Sequence, residues 1–325
     1  LFLFLPVASG MTYLAGKFRN NNILMYRMLQ TFALMLVVVL GISCYTRNMV
    51  WATEKTLWQD AMQKAPTLAR PYQNVASALE REQNLDTALY LYQKALDLKD
   101  PEPKLSRFIS YGNMGNIYRK RKEYDKAVKF LTAAIHVETG PYIDRVRYNL
   151  VLCLLNTQRQ TEALKHLAFL LARQKTNQRF LTTKGFILSQ EGNIDSALAC
   201  YRSAFQQEPH STDLLLNMAA ALNTGGSHER AETLLKKALD KAPHNIVIHL
   251  ALLQHALTIQ DKNRIDHRLS QIVKRFKLGD IQQYLTERAK GWHYVNHTLV
   301  PVDDAMVIPA LVEHLKQKAK NLNQG

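Results

Sequence analysis

Four asparagines stand in short stretches that resemble one another: Asn74 in PYQNVA, Asn113 in SYGNMG, Asn149 in VRYNLV and Asn217 in LLLNMA. A carboxamide carries a pair of N–H donors and an acceptor, the same polar set that a peptide bond presents. A column of such groups can hold an extended backbone with little regard to its side chains. Residue types that do covalent or metal chemistry are less well placed. His293 and His297 in GWHYVNH are four apart, but no Cys or acid stands at a supporting spacing, so they read as surface histidines and no metal is expected. Asp303 and Asp304 precede AMVIPALVEHL as a helix N-cap does, not as a carboxylate dyad. Cys44, Cys153 and Cys200 match neither a disulfide framework nor a zinc motif. No Gly-rich phosphate loop, nucleophile elbow or paired-acid motif occurs, so no catalytic residue and no cofactor is assigned.

The asparagines ride on a repeat. ALYLYQKALDLKDP (88–101), AVKFLTAAIHVETGP (127–141), ALACYRSAFQQEP (197–209) and AETLLKKALDKAP (231–243) share an Ala, a large residue four later, Ala three after that, and a Pro beyond. The leading alanines Ala88, Ala127, Ala163, Ala197 and Ala231 are spaced 39, 36, 34 and 34 residues apart. This pattern and period resemble the tetratricopeptide repeat (TPR), and the resemblance runs from residue 51 to about 243. It implies an all-α fold, a TPR α-solenoid of stacked antiparallel helix pairs. Small Ala88 and Ala95 let the second helix approach the first, and Tyr92 fills the gap between repeats. Gly115 and Gly185 do the same on the first helix, with Val75, Val151 and Ala219 as equivalents. Pro66, Pro101, Pro141, Pro209 and Pro243 end second helices by disfavouring α geometry in the residue before them. Trp58, Ala61 and Pro66 fit the second-helix pattern, so TEKTLWQDAMQKAP is half a repeat.

In TPR proteins the sixth position of the first helix faces a concave groove. Here that position holds Asn74, Asn113, Asn149, Thr183 and Asn217, a ladder resembling the groove of the O-GlcNAc transferase TPR domain. Arg70, Arg81, Lys120, Arg145 and Arg179 lie at neighbouring groove positions and add affinity for acidic segments. The expected partner is a protein or peptide ligand; the competing reading is that the carboxamides bond only to neighbouring helices.

The net charge of +15 raises the question of nucleic acid, and its distribution answers it. Lys17, Arg19, Arg27 and Arg47 stand before residue 51 without any acid, and the remaining excess is spread among interspersed acids. The densest run, Arg119 to Lys122, reads as a solvated helix end, with no aromatic platform beside it. No nucleic-acid partner is expected.

From Met28 to Thr46 nineteen residues pass without a charge, between Arg27 and Arg47. At about 1.5 Å per residue this helix spans roughly 28 Å, near the ~30 Å of a bilayer's hydrocarbon core. It starts too far into the chain for a signal peptide and no small-residue cleavage site follows. Upstream, LFLFLPVASGMTYLAG is a second uncharged stretch, expected to be a membrane segment truncated at Leu1. Lys17, Arg19 and Arg27 place the loop between the two stretches in the cytoplasm and the repeats on the extracytoplasmic side, periplasmic with an inner-membrane anchor if the source is bacterial. The chain thus divides into a truncated membrane segment and basic cytoplasmic loop (1–22), a transmembrane helix (23–46), a juxtamembrane half-repeat (47–66), five TPRs (67–245), a degenerate sixth repeat (246–276) and a C-terminal helical cap (277–325).

The succession FLFLPVASG, a span, then RNMVWATEKTLWQDAMQKAPTLARPYQNVA is similar to the C-terminal end of the transmembrane-and-TPR protein O-mannosyltransferases, polytopic membrane glycosyltransferases. In that family a YLP-x-G-like segment precedes the final spans, and FLPVASG matches it loosely. The resemblance implies glycosyl transfer from a lipid-linked sugar, by acidic residues of a first extracytoplasmic loop upstream of Leu1, with the TPR array positioning a protein acceptor. The alternative is a two-span TPR scaffold or assembly factor for an envelope, secretion or pilus complex, self-associating by end-to-end stacking of repeats.

Overall fold

A computed structural model describes residues 9–10, 12–13, 16–17, 19, 23–98, 101–137, 142–277, 279, 281 and 307–314. The pairs His293/His297 and Asp303/Asp304, Pro141, and most of the first apolar stretch and of the cap lie outside them. The described residues are helical throughout, with no strand among them. A long α1 (Ile23–Val50) leads to α2 (Glu54–Lys64), α3 (Ala69–Arg81), α4 (Leu85–Asp97) and α5 (Pro103–Lys120). Then come α6 (Tyr124–Val137), α7 (Ile143–Asn156), α8 (Gln160–Arg173), α9 (Gln178–Gln190) and α10 (Ile194–Gln207). The last four are α11 (Thr212–Thr224), α12 (His228–Lys241), α13 (Ile246–Thr258) and α14 (Lys262–Arg275). The chain divides into two compact units, Leu1–Ile117 and Tyr118–Gly325.

In the first unit α1 is 28 residues long, none of them buried, and is long and apolar enough to cross a membrane. It runs past the expected end at residue 46 as far as Val50. Only Trp51 to Thr53 separate it from α2, whose start is closed by a reciprocal cap between Thr53 and Thr56. The Thr56 hydroxyl also donates to the Val50 carbonyl at 2.9 Å. Asp60 on α2 accepts from Lys64 at 2.7 Å and from Arg47 of α1 at 3.0 Å. These two cations, Lys64 foremost, hold its carboxyl below the usual range. The apolar helix therefore passes into the packed helices without a linker. Beyond it α2 packs on α3 and α3 on α4, burying Val75, Ala76, Ala88, Tyr92 and Ala95.

The second unit repeats one arrangement in α7/α8, α9/α10, α11/α12 and α13/α14. Its second helices bury Leu131, Leu167, Tyr201 and Leu235 one turn after Ala127, Ala163, Ala197 and Ala231. A Cβ on Gly185 of α9 would stand 2.7 Å from the Tyr201 ring of α10, so the bare backbone is what admits the tyrosine. Counted from the ladder position, Val151 and Ala219 share that register, and in the first unit it falls on Ala76, not on Val75 as expected from the pattern.

Each first helix ends in the same way. Gln83, Lys122, Gln158 and Gln260 adopt φ of 63°, 62°, 59° and 55°, and Gly192 and Gly226 take the same left-handed conformation. The next amide then reaches back to a carbonyl five residues earlier: Asn84 to Leu79, Arg159 to Leu154 and Asn193 to Leu188, each at 2.9 Å. Asn84, Asn193 and Asp261 cap the following helix with their side chains, so two residue positions turn the chain. At the ends of second helices, Ala65, Glu208 and Ala242 leave α geometry before Pro66, Pro209 and Pro243, with ψ of 66°, 79° and 70°. Gln174 does the same at ψ 73° with Lys175 next. Proline reinforces that stop and does not create it.

Two predictions follow from this packing. An exposed mid-helix Gly→Ala gains about 1 kcal/mol from propensity, whereas overpacking a closed core costs ~1–3 kcal/mol. Tyr201 is buried and cannot swing away. Gly185→Ala should therefore lower the urea midpoint, and adding Tyr201→Leu should restore most of it; a Gly185→Ala variant more stable than the parent would contradict the packing. The second concerns pH. His166, His249 and His255 are all held below the ordinary imidazole range, chiefly by burial. The unfolded chain then binds protons that the folded one refuses, so their contribution is complete above the unfolded pKa of about 6.5 and declines as pH falls below it. Urea midpoints should drop between pH 7.5 and 5.5, and His255→Gln should flatten that drop.

Candidate functional site

In the first unit the ladder positions meet at one place. Asn74 on α3 and Asn113 on α5 line a cavity of about 590 Å³, together with Leu68, Arg70, Ser77, Leu105 and Ile109. What brings the two helices to this spacing is Gln73, the neighbour of Asn74. Its buried amide donates to the Ser106 carbonyl at 2.8 Å, the Ser106 hydroxyl at 2.9 Å and the Ser110 hydroxyl at 3.0 Å. A buried amide with several partners is costly to leave unmade, so this clamp sets how α5 lies on α3. Asn113 donates to the Tyr92 hydroxyl at 3.1 Å, which ties its side chain to the second helix and orients it. Arg70 lies over the Trp58 ring, 5.9 Å from its centroid. Arg81 points elsewhere: it pairs with Glu54 of α2.

The second unit treats the same positions differently. Asn149 is half-buried and has a partner within the protein. Thr183, which breaks the row of asparagines, is buried; its hydroxyl donates to the Arg179 carbonyl at 2.8 Å and bonds the Tyr148 hydroxyl at 2.9 Å. Asn217 is 3 % exposed and its amide nitrogen has no hydrogen-bond partner among the described residues. Arg145 and Arg179 are exposed, Arg145 lying 6.0 Å from the Tyr142 ring centroid, and Lys120 is exposed at the end of α5. An open cavity in one unit thus contrasts with a largely closed row in the other.

Elsewhere the described residues offer little chemistry. No group of three or more metal-ligating side chains occurs among them. Burial pushes the Cys153 thiol up to about 12, far from a nucleophile at neutral pH. The clamp residues Gln73, Ser106 and Ser110 and the apolar wall of Leu68, Leu105 and Ile109 escape a reading based on repeat position. One sign of the wall was present, since the longest interval between repeats, 39 residues, falls at KDPEPKLSR.

Residues 67–137 and again residues 188–255 match the tetratricopeptide repeat. Protein O-mannosyl-transferase Tmtc3 of Drosophila melanogaster is 27% identical over 151 residues, 46% of this chain and 16% of that protein. Protein O-mannosyl-transferase TMTC3 of Homo sapiens is 23% identical over 245 residues, 72% of this chain and 26% of that protein. The matched part is thus about a quarter or less of the length of these curated relatives. Among solved structures, YrrB, a TPR protein described as having an unusual peptide-binding site, is 25% identical with a TM-score of 0.52, covering 59% of this chain and 95% of its own. The chain is therefore an all-α protein that carries tetratricopeptide repeats folded as an α-solenoid, and 245 of its residues are similar to a part of protein O-mannosyl-transferase TMTC3 of Homo sapiens.

Proposed function

We propose that this chain is a membrane-anchored, extracytoplasmic TPR module that binds extended protein segments in its concave groove, as the acceptor-positioning tail of a membrane glycosyltransferase. The observation that carries the reading is the cavity that Asn74 and Asn113 both line. Carboxamides on one lining can pair with a backbone in extended form, and a backbone reader suits an enzyme that must accept many sequences. Sugar transfer from a lipid-linked donor happens at the bilayer surface, so the acceptor has to be held near it. The direct passage from α1 into α2, pinned by Arg47 and Asp60, supports such an arrangement. The O-mannosyl-transferase relatives support the glycosyl-transfer part, and Lys17, Arg19 and Arg27 support the sidedness. The chain itself contributes binding and orientation, and the chemistry belongs to the enzyme of which it is the tail.

Fluorescence anisotropy with labelled unstructured peptides tests the groove. Replacing Asn74, Asn113, Asn149 and Asn217 together by Ala should weaken binding more than tenfold, with the helical circular dichroism retained. Unchanged peptide affinity in that folded variant would remove the asparagines from the reading. Sidedness is tested on sealed membrane vesicles of known orientation: protease should digest the repeats where the extracytoplasmic face is outward, and digestion only where the cytoplasmic face is outward would reverse the topology.

A further inference from the structure

The cavity in the first unit has walls that a plain backbone reader does not require. We propose that it is a side-chain subsite, which selects segments carrying a bulky apolar residue next to an acidic one. This deepens the groove reading above and rests on it.

One residue of these walls, Leu105, comes from an extension of one helix. Helix α5 begins at Pro103, ten residues before Asn113, whereas α3, α9 and α11 begin five residues before their own ladder positions. That is more than one additional turn. It carries Leu105 to the cavity that Leu68 and Ile109 also line. Leu68 and Leu105 are 39 % and 42 % exposed, so two leucines stand in water at the edge of a concave space of about 590 Å³. A space of that size admits an aromatic or branched side chain beside a backbone, and apolar walls favour such a guest by the water they release. Asn74 and the carboxamide oxygen of Asn113, on the same lining, face a guest backbone, while Ser77 and the Asn113 nitrogen are engaged with the Tyr92 hydroxyl.

Charge supplies the second element. Arg70 lines the cavity, is held over Trp58 and makes no ion pair among the described residues. Glu102, the carboxylate of the same lining, has an interaction of its own within the protein. A guanidinium that lies over an indole and pairs with no acid among the described residues complements a carboxylate on the guest. An apolar residue adjoining an acidic one therefore fits better than either alone.

The experiment uses the full chain in detergent and labelled unstructured peptides that differ only at a Phe-Asp pair, replaced by Ala-Asp or by Phe-Asn. Loss of the buried ring should weaken binding roughly tenfold or more. Loss of the acid should weaken it by about two- to fivefold at low salt. Leu105→Ser should abolish the advantage of Phe over Ala, and Arg70→Gln the advantage of Asp over Asn, both positions being exposed enough to leave the fold intact. Equal affinity for all three peptides would overturn the subsite and leave the groove standing. So would a Phe preference that survives Leu105→Ser. Binding of none of them would overturn subsite and groove together.

Discussion

The close approach of two helices inside each repeat governs everything built on it. Where Tyr201 of α10 lies against α9, the facing residue is Gly185, and a single added carbon would collide with the ring. Where the second helix carries Leu167 or Leu235, the same register on the first helix holds Val151 or Ala219. Fixing this distance also fixes which side of each first helix is left outward, and so where the sixth position can point.

Helix packing sets the spacing, and the turns preserve the register. A left-handed residue followed by a capping side chain reverses the chain within two positions, and glutamine serves there as well as glycine. Because backbone hydrogen bonds close the turn, the residue type can drift without losing the geometry. The ends of second helices follow the same logic, with Gln174 stopping as Glu208 does although no proline comes after it. Repeats can therefore diverge in sequence while holding their ladder positions in place.

Regularity is broken at the cavity. The extended α5 adds Leu105 to a lining that Leu68, Arg70, Asn74, Ile109 and Asn113 share, and the Gln73–Ser106–Ser110 clamp holds that longer helix against α3. Thr183 and Asn217 show the opposite departure, since their side chains are buried among packed helices. A buried amide nitrogen without a hydrogen-bond partner among the described residues, as on Asn217, is a cost that a helix interior seldom carries. At the other end Arg47, the last cation before the repeats, is engaged with Asp60, so an ion pair spans the junction between the apolar helix and the first packed helix.

Much of this was legible in the order of residues. Periodic Ala and large residues specify helix pairs because only small side chains permit the approach, and nineteen uncharged residues specify a helix long and apolar enough to cross a membrane. These are local constraints, and local sequence states them. The equivalence of Ala76 to Gly185, which the pattern placed at Val75, follows from counting two residues beyond the ladder position. By contrast, whether a ladder asparagine lies in an open cavity, as Asn74 and Asn113 do, or is sealed like Asn217 depends on how adjacent first helices pack. That packing is decided by residues far apart in the chain, such as Gln73 and Ser110, whose meeting no spacing rule encodes.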